Sequence, residues 1–77
     1  MKQLALEYVR TKENDNKIKL YGFKETQEEN EYFYNYYHND KIIIFSDNSV
    51  DVSMIFSQTL SMLLNLIDMG IIKVIEE

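Results

Sequence analysis

Residues that favour β-strands occupy two stretches at the start of the chain. Leu4–Thr11 is rich in them, and Lys17–Lys24 alternates between polar and apolar side chains over its first half. The segment between them, Glu13–Asn16, consists of acidic and amide residues, of which Asn and Asp tolerate the backbone conformations of turns. The pattern therefore predicts that a β-hairpin begins the fold.

The next apolar segment is dominated by aromatic residues, with five rings in the six positions 32–37. Two interpretations are open. Thr26 and Glu29 have the spacing of a capping box, and several rings share one helical stripe, which indicates a helix. Tyr and Phe also favour strands, and Asn39–Asp40 suits a tight turn into Ile42–Ser46. We favour the strand, with Ile42–Ser46 as a central strand behind it.

The clearest periodicity is helical and extends over about residues 50–69. Gly70 stands where a C-terminal capping glycine belongs, and the final segment IIKVIEE has the composition of a strand. Three residues supply capping oxygens before the predicted helix or at its start: Asp47, Ser49 and Asp51. The residues with helical core spacing are Val52, Ile55, Phe56, Thr59, Leu60, Leu63 and Ile67.

Together these elements predict an α+β fold, an antiparallel sheet of four to five strands with one long helix packed on one face. The 77 residues allow a single domain with one small core. The chain has no Cys, so neither a disulfide nor a Cys-ligated zinc ion reinforces that core. A well-packed core or association must therefore stabilise it. With no apolar leader at the N-terminus, we expect a cytoplasmic location.

The predicted strands carry apolar residues on both faces, whereas one helix about 10 Å wide covers only one face of a sheet. We therefore expect an exposed apolar face that another protein covers. Tyr suits this role because it is large, has few rotatable bonds and carries a hydroxyl that tolerates water. Alternatively, the tyrosines fill the core. The predicted interface on the sheet comprises Tyr32, Tyr34, Tyr36, Ile43 and Phe45.

The predicted helix adds a second surface. Ser53, Ser57, Ser61 and Asn65 recur at four-residue intervals, and the helix contains no Lys or Arg. Small uncharged side chains let a second backbone approach closely, so we include the serines in the predicted interface. The alternative is an ordinary solvated polar face.

Charge is distributed unevenly along the chain. Residues 1–24 contain six basic and three acidic residues, whereas residues 25–77 contain two basic and ten acidic residues, for a net charge of −5. Such an acidic domain is repelled by nucleic acids and by anionic membranes, although acidity also serves solubility. We expect a protein partner and no membrane association. The predicted acidic surface comprises Glu25, Glu28, Glu29 and Glu31.

The basic segment provides an alternative function. Across the predicted hairpin, basic residues lie beside aromatic rings on one face, the arrangement that binds single-stranded nucleic acid. The residues concerned are Arg10, Lys12, Lys17, Lys19, Tyr8, Tyr21 and Phe23.

No motif in the chain indicates catalysis or a cofactor. His38 is the only His, and nothing places a nucleophile beside it. The segment Asp47–Ser53 begins like a calcium loop, but Val52 stands where Gly is required and Gln58 where the bidentate Glu is required. We therefore predict a small acidic protein-binding module without enzymatic activity, metal or cofactor. It would form a homodimer, or inhibit or regulate a larger protein, such as one that binds nucleic acid.

Overall fold

The computed structural model describes residues 4–53 and 57–76, which form six strands and two helices. In chain order these are β1 (Leu4–Tyr8), α1 (Lys12–Leu20), β2 (Lys24–Glu25), β3 (Tyr32–Tyr37), β4 (Asp40–Ile44), β5 (Val50–Ser53), α2 (Ser57–Asp68) and β6 (Ile72–Glu76). The strands form a four-stranded antiparallel sheet in the order β2-β3-β4-β5 and a two-stranded antiparallel sheet of β1 and β6. The predicted α+β class and antiparallel sheet are confirmed.

The two sheets meet where β1 passes the start of β5. Glu7 and Ser49 form an isolated antiparallel bridge, and the Tyr8 amide donates a hydrogen bond of 2.8 Å to the Asn48 carbonyl oxygen. β1 therefore lies beside β5, and β6 lies beyond β1.

The described helices contribute side chains to a single core on one face of the sheets. Ile18 of α1 and Leu66 of α2 are buried in the same cluster as Ile42 and Ile44 of β4. Because successive side chains of a strand point to opposite faces, Ile43 projects from the other face. Neither described helix covers that face. The remaining buried apolar residues are Tyr8, Phe23, Tyr32, Leu63, Ile71 and Ile72.

The predicted N-terminal hairpin is wrong, because Lys12–Leu20 is a helix. The Thr11 hydroxyl caps it by accepting a hydrogen bond of 2.9 Å from the Asn14 amide. Acidic residues occupy its first turn and lysines its last turn, which complements the helix dipole. The acidic and amide residues predicted to form a turn are thus the first turns of α1. Ile18 anchors the helix in the core.

The second helix is shorter than predicted. Val50–Ser53 is a strand paired with β4, and α2 begins at Ser57. Apolar Val50 and Val52 alternate with polar Asp51 and Ser53, which is the two-residue period of a strand. The predicted helix included these four residues and did not take this period into account.

The predicted caps therefore have another role. The Asp47 carboxylate accepts hydrogen bonds from the Ser49 amide (3.0 Å) and hydroxyl (2.6 Å) in the turn before β5. These bonds hold the pKa of Asp47 below its usual value. Among the predicted core residues of the helix, Thr59 and Leu63 are buried, but Leu60 is exposed. Ile55 and Phe56 lie outside the described residues.

The strand interpretation of the aromatic segment is confirmed, since β3 contains all five rings. Its pairing differs from the prediction, however. Tyr32 lies opposite Ile44 and Tyr34 opposite Ile42, so the tyrosines share the core face with these isoleucines. The predicted register, in which they shared a face with Ile43, is wrong.

The end of α2 and the last strand agree with the sequence pattern. Gly70 has φ +77°, and its amide donates a hydrogen bond of 3.1 Å to the Ile67 carbonyl oxygen just after the helix. β6 then pairs with β1 over five residue pairs. Neither described helix is long and apolar enough to cross a membrane.

Candidate functional site

The tip of the β3–β4 hairpin exposes two adjacent aromatic side chains. Asn35 pairs with Lys41, but the next pair joins Tyr37 to Asp40, so Tyr36 is the extra residue of a β-bulge. In a regular strand Tyr36 would follow Tyr34 on the core face. Instead Tyr36 is 46% exposed and Tyr37 is 53% exposed. The bulge thus presents consecutive tyrosines to the surface.

Hydrogen bonds and a ring contact hold the conformation of this tip. The Asn35 side-chain amide donates to the carbonyl oxygens of His38 (2.9 Å) and Asp40 (3.1 Å). His38 adopts φ +47° in the turn, and its ring contacts the Tyr37 ring edge-on at a centroid distance of 4.0 Å. We define Tyr36, Tyr37 and His38 as the aromatic tip.

A buried polar contact connects the base of the tip to α2. The Thr59 hydroxyl donates a hydrogen bond to the Asp40 carboxylate, and both residues are fully buried. Burying a carboxylate is costly unless hydrogen bonds satisfy it. The contact therefore places the first turn of α2 beside the hairpin turn, and with it the exposed Ser57 and Leu60.

The sheet residues of the predicted interface separate into two sets. Tyr32 is buried in the core, and Tyr34 is half-buried with its ring 5.3 Å from that of Phe23. The burial of Tyr32 agrees with the alternative that tyrosines fill the core. Ile43 and Phe45 are also half-buried, but Ile43 lies opposite Phe33 on the sheet face that neither described helix covers. The role of these residues in an interface stays a prediction.

The predicted serine stripe is split between two elements. Ser53 is the last residue of β5, whereas Ser57 and Ser61 are exposed on α2. Leu60 and Leu64 are exposed between these serines and Asn65. The outer surface of α2 is therefore partly apolar and not simply a small-residue stripe.

The predicted acidic surface comprises the last residue of β2, Glu25, and three residues of the loop between β2 and β3, the acidic loop. Glu28 and Glu29 are exposed, Glu31 is half-buried, and Glu25 lies 4.0 Å from the Lys19 ammonium. Thr26 closes the loop, since its amide donates to the Glu31 carbonyl oxygen at 2.9 Å. The acidic loop adjoins the start of β3, and the aromatic tip lies at the end of β3. A strand of six residues is about 20 Å long, so the loop and the tip are about 20 Å apart.

The geometry that suggested nucleic-acid binding is absent from the structure. Lys12, Lys17 and Lys19 lie on α1 instead of a hairpin face, and Lys17 pairs with Glu13 at 3.1 Å. Most of the rings that were predicted to stack on bases are not accessible to a ligand. Tyr8 and Phe23 are buried, and the Tyr21 hydroxyl contacts the Met69 sulfur at 3.3 Å.

Arg10 acts inside the fold. Its Nε donates to the Asn48 side chain at 2.6 Å, and its Nη2 donates to the carbonyl oxygens of Asn30 (2.9 Å) and Phe45 (3.1 Å). It thereby connects the β2–β3 loop to the β4–β5 turn. Both turns include an Asn with positive φ, at Asn30 and Asn48.

A neighbouring tyrosine is also part of the interior. The Tyr8 hydroxyl donates a hydrogen bond to the Asp15 carboxylate, and the Arg10 guanidinium lies 5.1 Å from the Tyr8 ring centre. Burial raises the pKa of Tyr8, and the adjacent Asp15 carboxylate raises it further. Burial also raises the pKa of Tyr32. These phenols stay neutral and structural over the physiological pH range.

The described residues contain no group of three or more His, Cys, Asp or Glu side chains that could hold a metal ion. A shallow depression of about 190 Å³ is lined by Gly22, Lys24, Phe33 and Asn35. Pockets that bind small molecules usually enclose at least ~300 Å³. The depression therefore does not indicate a small-molecule site.

The sequence pattern identified only part of the aromatic tip. Tyr36 was predicted as an interface residue, whereas Tyr37 and His38 were not. The available signal was the pair His38–Asn39, because His and Asn are enriched among residues with positive φ. The bulge itself has no such local signature.

No family model matches this chain, and neither curated proteins nor solved structures provide a significant match.

Proposed function

We propose that this protein is a small, non-enzymatic protein-binding module whose docking surface is the aromatic tip. The observation that carries the proposal is the bulge that exposes Tyr36 and Tyr37 side by side. Bulges recur where a strand redirects a side chain at a functional site. Tyr is among the residues that contribute most to binding energy at protein interfaces.

The aromatic tip is anchored as well as exposed, and the anchoring also favours binding. Asn35 closes the turn, and the Asp40–Thr59 contact fixes the hairpin against α2. Ordering a flexible loop on binding costs about 0.5–1.5 kcal/mol for each immobilised side chain. A tip that is already held in place avoids much of this cost.

The surroundings of the tip suit a protein partner. Ser57 and Leu60 of the adjacent helix turn are uncharged and exposed, so they can extend the contact area. Aromatic anchors with an uncharged surround are typical of interface centres, from which charged residues are depleted. The acidic loop lies at the other end of β3 and would steer a partner that carries a basic surface. Inhibition or regulation of a larger protein is the role that we propose for such binding.

A site-specific photocrosslink tests this proposal in the native host. The photoreactive residue p-benzoylphenylalanine replaces Tyr37, and the matched control carries it at Leu20, which is 86% exposed on α1. We expect a host protein to crosslink at position 37 and not at position 20. No crosslink at position 37, or equal crosslinking at both, would refute the proposed docking surface.

Affinity measurements with the purified partner then test the energetics. We expect Tyr37→Ala to weaken binding by about 30-fold, which corresponds to ~2 kcal/mol. Leu20→Ala is the control and should leave affinity within about twofold, as expected for a residue outside the interface. A single-stranded oligonucleotide serves as the competitor for the alternative function. Steeply salt-dependent oligonucleotide binding that survives Tyr37→Ala would contradict our proposal.

A further inference from the structure

β6 is the outermost strand of the described fold, and no described strand pairs with its outer edge. Among the described residues, β6 pairs only with β1, and their register runs without a bulge from Leu4 opposite Glu76 to Tyr8 opposite Ile72. β1 in turn is joined to the four-stranded sheet through the bridge between Glu7 and Ser49. β6 is therefore the last strand on this side of the described fold, and the backbone groups on its outer edge face no described strand.

The register shows which backbone groups of β6 are open. The Val9 amide donates to the Ile71 carbonyl oxygen at 2.8 Å, in the same register as the β1–β6 pairs. Hydrogen-bonded pairs alternate along an antiparallel ladder, so Lys73 and Ile75 also direct their backbone groups to β1. Ile72, Val74 and Glu76 direct theirs outward. Ile72 is fully buried, whereas Val74 is 48% exposed. The open edge therefore begins at Val74.

This edge lacks two of the features that usually prevent strand pairing, a proline and a β-bulge. The chain has no Pro, and the β1–β6 ladder has no bulge. A lysine on an edge strand can also block pairing, but the Lys73 ammonium is bound to the Glu7 carboxylate at 3.3 Å across the ladder. Val74 lies on the same face as Leu6 and Ile72, so its exposed side chain continues the core face.

We infer that a second copy of this chain pairs with the Val74–Glu76 edge, so that two β6 strands join antiparallel about a two-fold axis. A two-fold axis normal to the sheet requires that a residue lies opposite its own copy. With the axis at Ile75, Val74 of each copy lies opposite Glu76 of the other copy. All the open backbone groups of Val74 and Glu76 are then used, in up to four hydrogen bonds.

Other self-pairing registers are less favourable. Moving the axis to Val74 or Lys73 requires the backbone of Ile72, which is already buried. An axis at Lys73 also places two lysines face to face, which is destabilising. The register centred on Ile75 instead places an apolar side chain opposite its own copy. This self-complementarity is why we assign the edge to a second copy and not to an unrelated strand.

The inference is independent of the proposed function. In the resulting dimer each copy keeps its own aromatic tip, because the tip lies on the β3–β4 hairpin and the dimer contact lies on β6. A dimer would present two aromatic tips. If the partner has repeated binding sites, the two tips would bind it with higher avidity than one tip does.

Sedimentation equilibrium with two variants of Val74 tests the backbone contact. Val74→Pro removes the outward amide donor without removing a β1–β6 hydrogen bond, and Pro is accepted on strand edges for this reason. Val74→Thr keeps the donor and the β-branched side chain, so it is the matched control. We expect wild type and Val74→Thr to dimerise with Kd in the micromolar range and Val74→Pro to be at least ~30-fold weaker. Equal dimerisation by Val74→Pro, or a wild type that stays monomeric at about 500 µM, would overturn the inference.

A charge-pairing experiment tests the register and does not depend on the folding of the Pro variant. Ile75→Lys and Ile75→Glu should each be monomeric because like charges face each other at the axis. An equimolar mixture should form a heterodimer that native mass spectrometry resolves. Failure of the mixture to associate would refute the Ile75 register. Ser57→Arg changes the exposed surface of α2 and leaves β6 intact, so it should dimerise as wild type does. Its monomerisation, with Val74→Pro still dimeric, would move the interface to α2.

Discussion

Replacing Thr59 by Val should destabilise the protein strongly, although the two side chains have nearly the same shape. The hydroxyl of Thr59 donates to the carboxylate of Asp40, and both residues have no exposed surface. Removing the donor leaves a buried carboxylate with one hydrogen bond fewer. Hydrogen bonds to charged groups contribute about 1.5–3 kcal/mol, so we expect a loss of about 2 kcal/mol in the free energy of unfolding.

This loss is large for a domain of 77 residues. At roughly 0.05–0.15 kcal/mol per residue, the whole fold is stable by about 4–12 kcal/mol. A change of 2 kcal/mol should lower the Tm by about 8–16 °C, since each kcal/mol corresponds to ~4–8 °C in domains of this size. With a urea m-value of ~1 kcal/mol/M, the unfolding midpoint should fall by about 2 M.

Urea unfolding followed by circular dichroism at 222 nm measures the effect. Thr59→Ser is the matched control, because it keeps the hydroxyl and removes only a methyl group at a cost of about 1 kcal/mol. The expected order of stability is wild type, then Thr59→Ser, then Thr59→Val. If Thr59→Val is as stable as Thr59→Ser or more stable, the hydroxyl does not hold the Asp40 carboxylate, and the anchoring of the aromatic tip to α2 would have to be rejected.

Two further predictions concern pH and backbone conformation. The raised pKa of Tyr8 keeps its phenol protonated in the fold, whereas the unfolded chain releases that proton near pH 10.0. Stability should therefore be insensitive to this group below pH 10 and should fall above it, by up to about 1.4 kcal/mol per pH unit. Tyr8→Phe should be less stable than wild type at pH 8, because the hydrogen bond to Asp15 is lost. Between pH 10 and 11, however, its free energy of unfolding should fall less than that of wild type. Urea unfolding at both pH values measures this, and an equal fall in the two proteins would contradict the prediction. Gly70 has φ +77° with open space around an added Cβ, so Gly70→Ala should cost only backbone strain of about 1 kcal/mol, and Gly70→Asn less. Thermal unfolding checks the order, and a Gly70→Ala variant as stable as wild type would show that the residue does not need its left-handed conformation.

The sequence pattern identified the elements whose signal is local and repeated. The aromatic residues of β3 and the β-branched residues of β4 prefer strands wherever they stand, and the capping glycine after α2 reflects a conformation that few other residues adopt. The α+β class followed from these elements, because strands that face each other across short turns form antiparallel sheets.

Helix α1 and strand β5 could not be assigned from local preference alone. Lys12–Leu20 contains residues that are common in turns, and it becomes helical because Thr11 caps it and Ile18 is buried against the sheet. Val50–Ser53 has the period of a strand, but it continues into a helical pattern, and only its pairing with β4 decides between the two.

The candidate site shows the same division. The apolar residues on both faces of the predicted strands suggested an interface that includes Tyr36, whose side chain is exposed, and its role in an interface stays a prediction. Which tyrosines are buried depends on register, and a shift of one residue exchanges the two faces of a strand. That register follows from the bulge beside Tyr36 and from the contact between Asp40 and Thr59, two residues 19 positions apart. Tertiary structure had to decide it, because a contact between distant residues leaves no trace in the periodicity of either segment.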